Sequence, residues 1–231
     1  SIEQLLMQKA NRYAASLGID HIEYRDNIPR EELPVREDKV NMILSLPNTY
    51  TQLWAGFSSK LRAQINRPKR ENPEISIGGK EYLEDFHRVY SRNMRDLGSP
   101  PHSEQFILNI METFPDNCWI ITVRLNRRPV GAGLLISHGD TLEIPLASTI
   151  REVNPLGINM LMYWEILKFA IQGGFRYFSF GRSTLGSGTF RFKKQWGAQE
   201  HQLYWHYGLT NRDELPMLSP ANPKYAPVIK I

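Results

Sequence analysis

Apolar residues recur at three- and four-residue steps along the opening segment, IEQLLMQKANRYAASLG. Ile2, Leu5, Leu6, Tyr13 and Leu17 share one helical stripe, and Gly18 supplies the stop. HIEYR then reads as a short strand, residues 27–38 as a proline-marked charged loop, and VNMILSL as a second strand. The helical period returns in NTYTQLWAGFSSKLRAQIN. Asn48 is placed as the cap of one long helix there, with Tyr50, Leu53, Trp54, Phe57, Leu61 and Ile65 at helical spacing and Pro68 as its end. EISI is a short strand. Residues 81–97 are helical, with Phe86, Tyr90 and Met94 four apart, and Ser103 caps a further helix ending near Phe114.

The pattern then changes. CWIITVRLN, RPVGAGLLIS and TLEIPLAST are three strands with turns at NRR and HGD. A helix over 156–172, LGINMLMYWEILKFAIQ, is apolar nearly all round and therefore buried on most sides. FRYFSFG returns as a strand. A glycine-hinged loop with a short helical turn follows, then a strand over QLYWHY. From Thr210 on, four prolines and little periodicity predict an extended tail. The second half thus reads β-β-β-α-β, a short helix, and β: an α/β (α+β) mixed sheet with packed helices. A cleft can form where strands after the long helix diverge from those before it.

Composition adds limits. The 231 residues are 41% hydrophobic and 23% charged, which suits a globular protein with one large or two small domains. The helical run carries Glu165 and Lys168 and is short for a bilayer, so it reads as a core helix. No secretory leader pattern opens the chain, and its first residue is Ser1, which predicts a processed or cut product. One cysteine, Cys118, sits within a strand pattern. It forms no internal disulfide, reads as a core residue and fits a reducing compartment, so the expected location is cytoplasmic. The formal net charge of +4 is compatible with anionic substrates or RNA. The six histidines are scattered, no His/Cys cluster has metal-ligand spacing, and neither a G-x-S-x-G elbow nor a P-loop occurs.

The densest chemistry lies in GRSTLGSGTFRFKKQWGA, which holds four glycines, four basic residues and no acid. Amide formation needs a placed amine, a stabilised oxyanion and a route for the proton. Lys193, between Phe192 and Trp196 on a helical turn, can face an oxyanion or a donor phosphate; it can equally be a solvated lysine. Lys194 points elsewhere on that turn. Arg182 and Ser183 follow a strand end and can hold a phosphate or carboxylate, or simply bond loop carbonyls. Asn159 lies in the first turn of the long helix, where it can bond a donor or a strand carbonyl. Glu143 alternates with Leu142 and Ile144, facing away from both, as a general base or as a sheet-face ion-pair partner. Phe192 and Trp196, four apart, anchor one side of the turn to the core, and Trp196 joins Arg182, Ser183 and Asn159 as a substrate-binding candidate. KLRAQINRPKR, with five basic residues and no acid, is either a contact for tRNA or an anionic lipid-linked substrate, or a solvated face.

Four stretches carry a family resemblance: RDLGSPPHSEQF, RRPVGAGLLISHGDT, NPLGINMLMYWEILKFAIQGGFRYFSFGRST and GSGTFRFKKQWGAQ. They resemble the Fem-like branch of the GNAT superfamily, closest to the FemAB-related proteins of PEP-CTERM/exosortase loci, over about residues 10–225. The resemblance implies a GNAT-like sheet in residues 76–208, a partial N-terminal GNAT-like subdomain in 1–75 and a proline-rich tail in 209–231. It implies an acyltransferase that forms an amide on an amino group of a cell-envelope or exopolysaccharide precursor, such as a lipid- or nucleotide-linked saccharide. Aminoacyl-tRNA or acyl-CoA is the expected donor substrate. The family's Phe-Lys pair near the acceptor amine corresponds to Phe192 and Lys193, so Lys193, Phe192 and Glu143 are the catalytic candidates. The acyl-CoA signature Gln/Arg-x-x-Gly-x-Gly/Ala is unmatched, because REVNPLGIN holds Gly157 alone. This favours an aminoacyl donor over CoA. The alternatives are a CoA-dependent N-acyltransferase on an amino sugar, and a non-catalytic module binding RNA or a partner.

Overall fold

The structure, a computed structural model, describes residues 2–210 and 214–215. Its elements run α1 (Ile2–Ser16), β1 (His21–Asp26), β2 (Val35–Arg36), β3 (Lys39–Ser45), α2 (Tyr50–Gly56), α3 (Ser59–Asn66), β4 (Glu74–Gly78), α4 (Leu83–Asp96), α5 (Glu104–Thr113), β5 (Cys118–Leu125), β6 (Arg128–His138), β7 (Thr141–Thr149), α6 (Ile158–Gln172), β8 (Tyr177–Thr184), α7 (Gly188–Lys194), β9 (Gln199–Gln202) and β10 (Tyr204–Leu209). Seven strands form a mixed sheet in the order β4-β5-β6-β7-β8-β3-β9, and β1-β10-β2 form a second sheet. The expected GNAT-like mixed sheet with packed helices is present. The proline-rich tail expected over 209–231 lies almost wholly outside the described residues.

The chain divides into two compact units. One holds the segment through Asn41 with Arg182–Phe190 and the segment from Glu200; the other holds Met42–Gly181 with Arg191–Gln199. In the larger unit, β5, β6 and β7 form an antiparallel meander. Positions 129–135 of β6 are all buried, although their side chains alternate between the two faces, so the sheet is covered on both. α4 and α6 provide this cover. α4 is amphipathic and buries Leu83, Phe86, Val89 and Tyr90, whereas α6 buries ten of its fifteen residues, as its all-round apolar sequence predicts. Cys118 is a core residue, and burial pushes its thiol up to about 11, which leaves it unreactive. Among the described residues no helix is long and apolar enough to cross a membrane.

Three sequence expectations are corrected. The helix expected from Asn48 is two helices, and Thr49 is the cap of the first, forming a reciprocal capping box with Gln52. Phe57 is extended, and the Ser58 hydroxyl accepts from Leu61 N to start α3. The single strand expected over QLYWHY breaks at Leu203. β9 joins the large sheet, while β10 pairs with β1 and β2, because the Leu203 N–H and the Gln202 amide both bond Lys39 O. The stripe on α1 is not a core face: Ile2, Leu5, Leu6, Tyr13 and Leu17 are exposed and only Ala14 is buried, while Asn11 on the other side accepts from the Tyr24 hydroxyl at 2.9 Å.

Candidate active site

β7 and β8 run parallel across the α6 crossover, but they pair only through Thr141–Tyr177, Leu142–Phe178 and Glu143–Ser179. Both strands continue past that point, β7 to Thr149 and β8 to Thr184, so they separate beyond Glu143. A bulge falls at the same place. Leu134 opposes Leu146 while Ile136 opposes Glu143, so β7 carries one residue more than β6, and Pro145 in that stretch has no N–H for a ladder. A split in the sheet exposes backbone polar groups where a ligand can approach.

Gly181 organises the rim of this split. Its φ of +71° is a conformation that glycine adopts without steric cost. Its N–H donates to Ser179 Oγ at 3.2 Å, and its carbonyl accepts from Lys193 Nζ at 3.0 Å. Glu143 Oε1 lies 3.7 Å from the point that a Cβ on residue 181 would occupy. The turn of β8 therefore brings the carboxylate of Glu143 and the ammonium of Lys193 to one glycine. Lys193 is only 8% exposed, whereas Lys194 is exposed, in line with their different directions around α7. Glu143 also lines a concavity of about 220 Å³ with Ile136, His138, Thr141 and Pro145.

Aromatic rings wall the site. Tyr163 of α6 stacks on Phe180 at 5.5 Å and meets Phe192 edge-on at 5.1 Å. Trp196 packs against Phe57, Tyr163, Phe180 and Phe192, and is 1% exposed. It is an anchor in this structure, and its buried indole N–H has no acceptor among the described residues. Burial pushes the Tyr163 hydroxyl far up, so it stays protonated through the ordinary pH range. Asn159 is half-buried in the first turn of α6, after a 3-10 turn over Arg151–Leu156 and Gly157, whose φ is +78°. Among the described residues no cluster of His, Cys, Asp and Glu could hold a metal ion.

Arg182 and Ser183 belong to the smaller unit. There they line a concavity of about 310 Å³ with Arg25, Lys39, Thr184, Thr189 and Trp205. In the KLRAQINRPKR stretch, Arg62 is structural: its guanidinium donates to Phe57 O at 2.8 Å and closes the end of α2. Sequence reasoning did not single out Tyr163 and Ser179. Both sit in apolar runs that read as core, and a polar atom inside such a run was the available signal.

The β-β-β-α-β order, with the last strand parallel to the third and splitting from it, defines a mixed α/β fold with an open cleft in its sheet. Residues 58–194 match the acetyltransferase (GNAT) domain. This is more than half of the chain, and the chain belongs to that family of acyltransferases. Among solved structures it is similar to FemX, at 12% identity and a TM-score of 0.66, with 98% of this chain and 79% of FemX covered. It is also similar to L-PGS from Bacillus licheniformis (15% identity, TM-score 0.60, 90% and 74% covered) and to a tandem GNAT protein from the clavulanic acid biosynthesis pathway (8% identity, TM-score 0.56, 91% and 70% covered). At such identities the likeness is one of fold. No curated protein matches the chain in sequence.

Proposed function

We propose that this GNAT-family protein is a Fem-like transferase that forms an amide on an amino group of a cell-envelope or exopolysaccharide precursor, with aminoacyl-tRNA as its donor and the cytoplasm as its location. The observation that carries this reading is the convergence of Glu143 and Lys193 on Gly181 at the point where β7 and β8 part. In the proposed reaction the acceptor nitrogen attacks the donor's ester carbonyl. Glu143 takes a proton from the attacking amine, and the Lys193 ammonium stabilises the tetrahedral oxyanion. The C–O bond of the donor ester then breaks, the leaving oxygen takes the proton that Glu143 accepted and departs as a hydroxyl, and the amide remains. Phe192 holds the lysine against the aromatic wall and Asn159 orients the donor; Arg182 and Ser183, which belong to the smaller unit, are proposed to hold an anionic group there. The similarity to FemX supports the Fem branch, and within it the chain's own motifs favour the FemAB-related, PEP-CTERM-associated group. On this reading residues 1–75 derive from the first of two GNAT-like subdomains and 76–208 from the second.

A second reading, transfer from acyl-CoA to an amino sugar, is favoured by the acetyltransferase domain match and by the tandem GNAT neighbour. The donor is identified by which of aminoacyl-tRNA and acyl-CoA raises the melting temperature. Lys193→Met keeps the buried stem and removes the charge. It should lower turnover about a hundredfold, or roughly 3 kcal/mol of transition-state stabilisation, while Lys194→Ala changes it little. Equal losses in the two variants would reduce Lys193 to one charge in a diffuse patch and end the catalytic assignment.

A further inference from the structure

The smaller unit contains a second built site. β1 and β10 pair antiparallel with Arg25 directly opposite Trp205 and Glu23 directly opposite Tyr207, so these four side chains share one face of the small sheet. Three cations converge on the indole of Trp205: Arg25 at 4.4 Å, Arg182 at 5.4 Å and Lys39 at 5.6 Å from the ring centroid. They come from β1, β8 and β3, far apart in sequence. The concavity of about 310 Å³ that they line adds the hydroxyls of Thr184 and Thr189, with Ser183 also at its wall, and among the described residues its lining holds no carboxylate.

The neighbouring acids set the directions of the cations and do not enter the concavity. Glu23 accepts from Arg25 at 2.6 Å, and Asp38 accepts from Lys39 at 3.1 Å and from Arg36 at 3.2 Å. Lys39 also donates to Thr184 Oγ1 at 2.7 Å. Along β8, Arg182 and Thr184 are exposed while Ser183 between them is 5% exposed, so strand alternation puts Arg182 and Thr184 on the side of Trp205 and turns the Ser183 side chain to the other face.

We infer that this concavity binds a phosphate or pyrophosphate group of a small-molecule ligand. The ammonium and guanidinium groups supply the charge, the hydroxyls of Thr184 and Thr189 donate to phosphate oxygens, and Trp205 forms an apolar wall that keeps the cations in place. Giving that phosphate to the transferase's own donor or acceptor rests on the reading above. The site itself does not, because its test requires binding alone.

The test is calorimetric titration of the full chain with inorganic pyrophosphate and, separately, with ADP at two salt concentrations. Saturable pyrophosphate binding that weakens with salt is expected. Arg182→Gln and Lys39→Gln should each weaken it about tenfold or more, and Arg182→Lys should recover part of the loss. Arg182 is exposed, so melting temperatures close to that of the parent protein are expected to accompany the loss. ADP binding more tightly than pyrophosphate, with the advantage lost in Trp205→Leu, would assign a nucleotide; equal affinities would assign the phosphates alone. Absence of pyrophosphate binding at millimolar concentration, or unchanged affinity in both charge-removing variants, would overturn the site. Neither outcome decides the catalytic assignment of Lys193, which is read from turnover in Lys193→Met.

Discussion

At the scale of residues, the pair Glu23 and Tyr207 shows how burial and partners compete. Burial alone would raise the Glu23 carboxyl, but the hydrogen bond from the Tyr207 hydroxyl, at 2.6 Å, and the Arg25 guanidinium outweigh it, and the carboxyl lies below its ordinary value. Burial, then the bond to Glu23, pushes the Tyr207 hydroxyl up to about 12. A carboxyl held low when folded contributes stability that is full above its unfolded value of about 4.3 and is lost as pH falls through the folded value. The phenol works in the opposite sense, contributing below about pH 10 and losing that contribution as pH rises through about 12. Thermal melting against pH should therefore decline on both flanks, and Tyr207→Phe should flatten both. An unaltered acid flank in that variant would show that the bond to Glu23 contributes nothing to folding.

At the scale of elements, the break between α2 and α3 is set by a single hydroxyl. Ser58 follows an extended Phe57 and caps Leu61 N, while Arg62 closes the carbonyl end of the preceding helix. Removing the cap in Ser58→Ala should cost about 1 kcal/mol and lower the melting temperature by roughly 2–4 °C. Ser58→Asp should restore most of it, because a carboxylate also accepts at an N-terminus. Similar melting of the parent and both variants would mean that packing of Phe57 and Leu61 alone sets the break. The aromatic wall is an element-scale feature as well: α6, β8 and α7 each contribute rings to it, and Phe57 joins them through Trp196.

At the scale of the whole molecule, the donor question rests on the segment before α6. Its 3-10 turn over Arg151–Leu156 contains Pro155 and ends in Gly157 alone, so only one position there lacks a Cβ. A pyrophosphate needs close backbone approach at a helix start, and one glycine gives little of it. Calorimetry with acetyl-CoA should therefore show binding weaker than low micromolar. Low-micromolar affinity would instead promote the CoA-dependent reading.

The sequence by itself determined most of the elements and their order, though not the break between α2 and α3 or the division of the last strand into β9 and β10. The alternation in β5 to β7, the all-round apolar α6 and the caps at Ser103 and Gly18 are local signals, and local signals follow from spacing. It also marked Lys193, Glu143 and Arg182 as unusual, since charge near glycines or within apolar runs is visible without a structure. Tertiary structure alone decided which of these groups meet. The approach of Glu143 and of Lys193 to Gly181 depends on where β7 parts from β8, and the gathering of Arg25, Lys39 and Arg182 around Trp205 depends on pairing between strands nearly the whole chain apart. The same holds for the α1 stripe, whose period is written in the sequence but whose exposure depends on what packs beside it. Periodicity reports the face a residue occupies, and only long-range pairing settles what lies against that face.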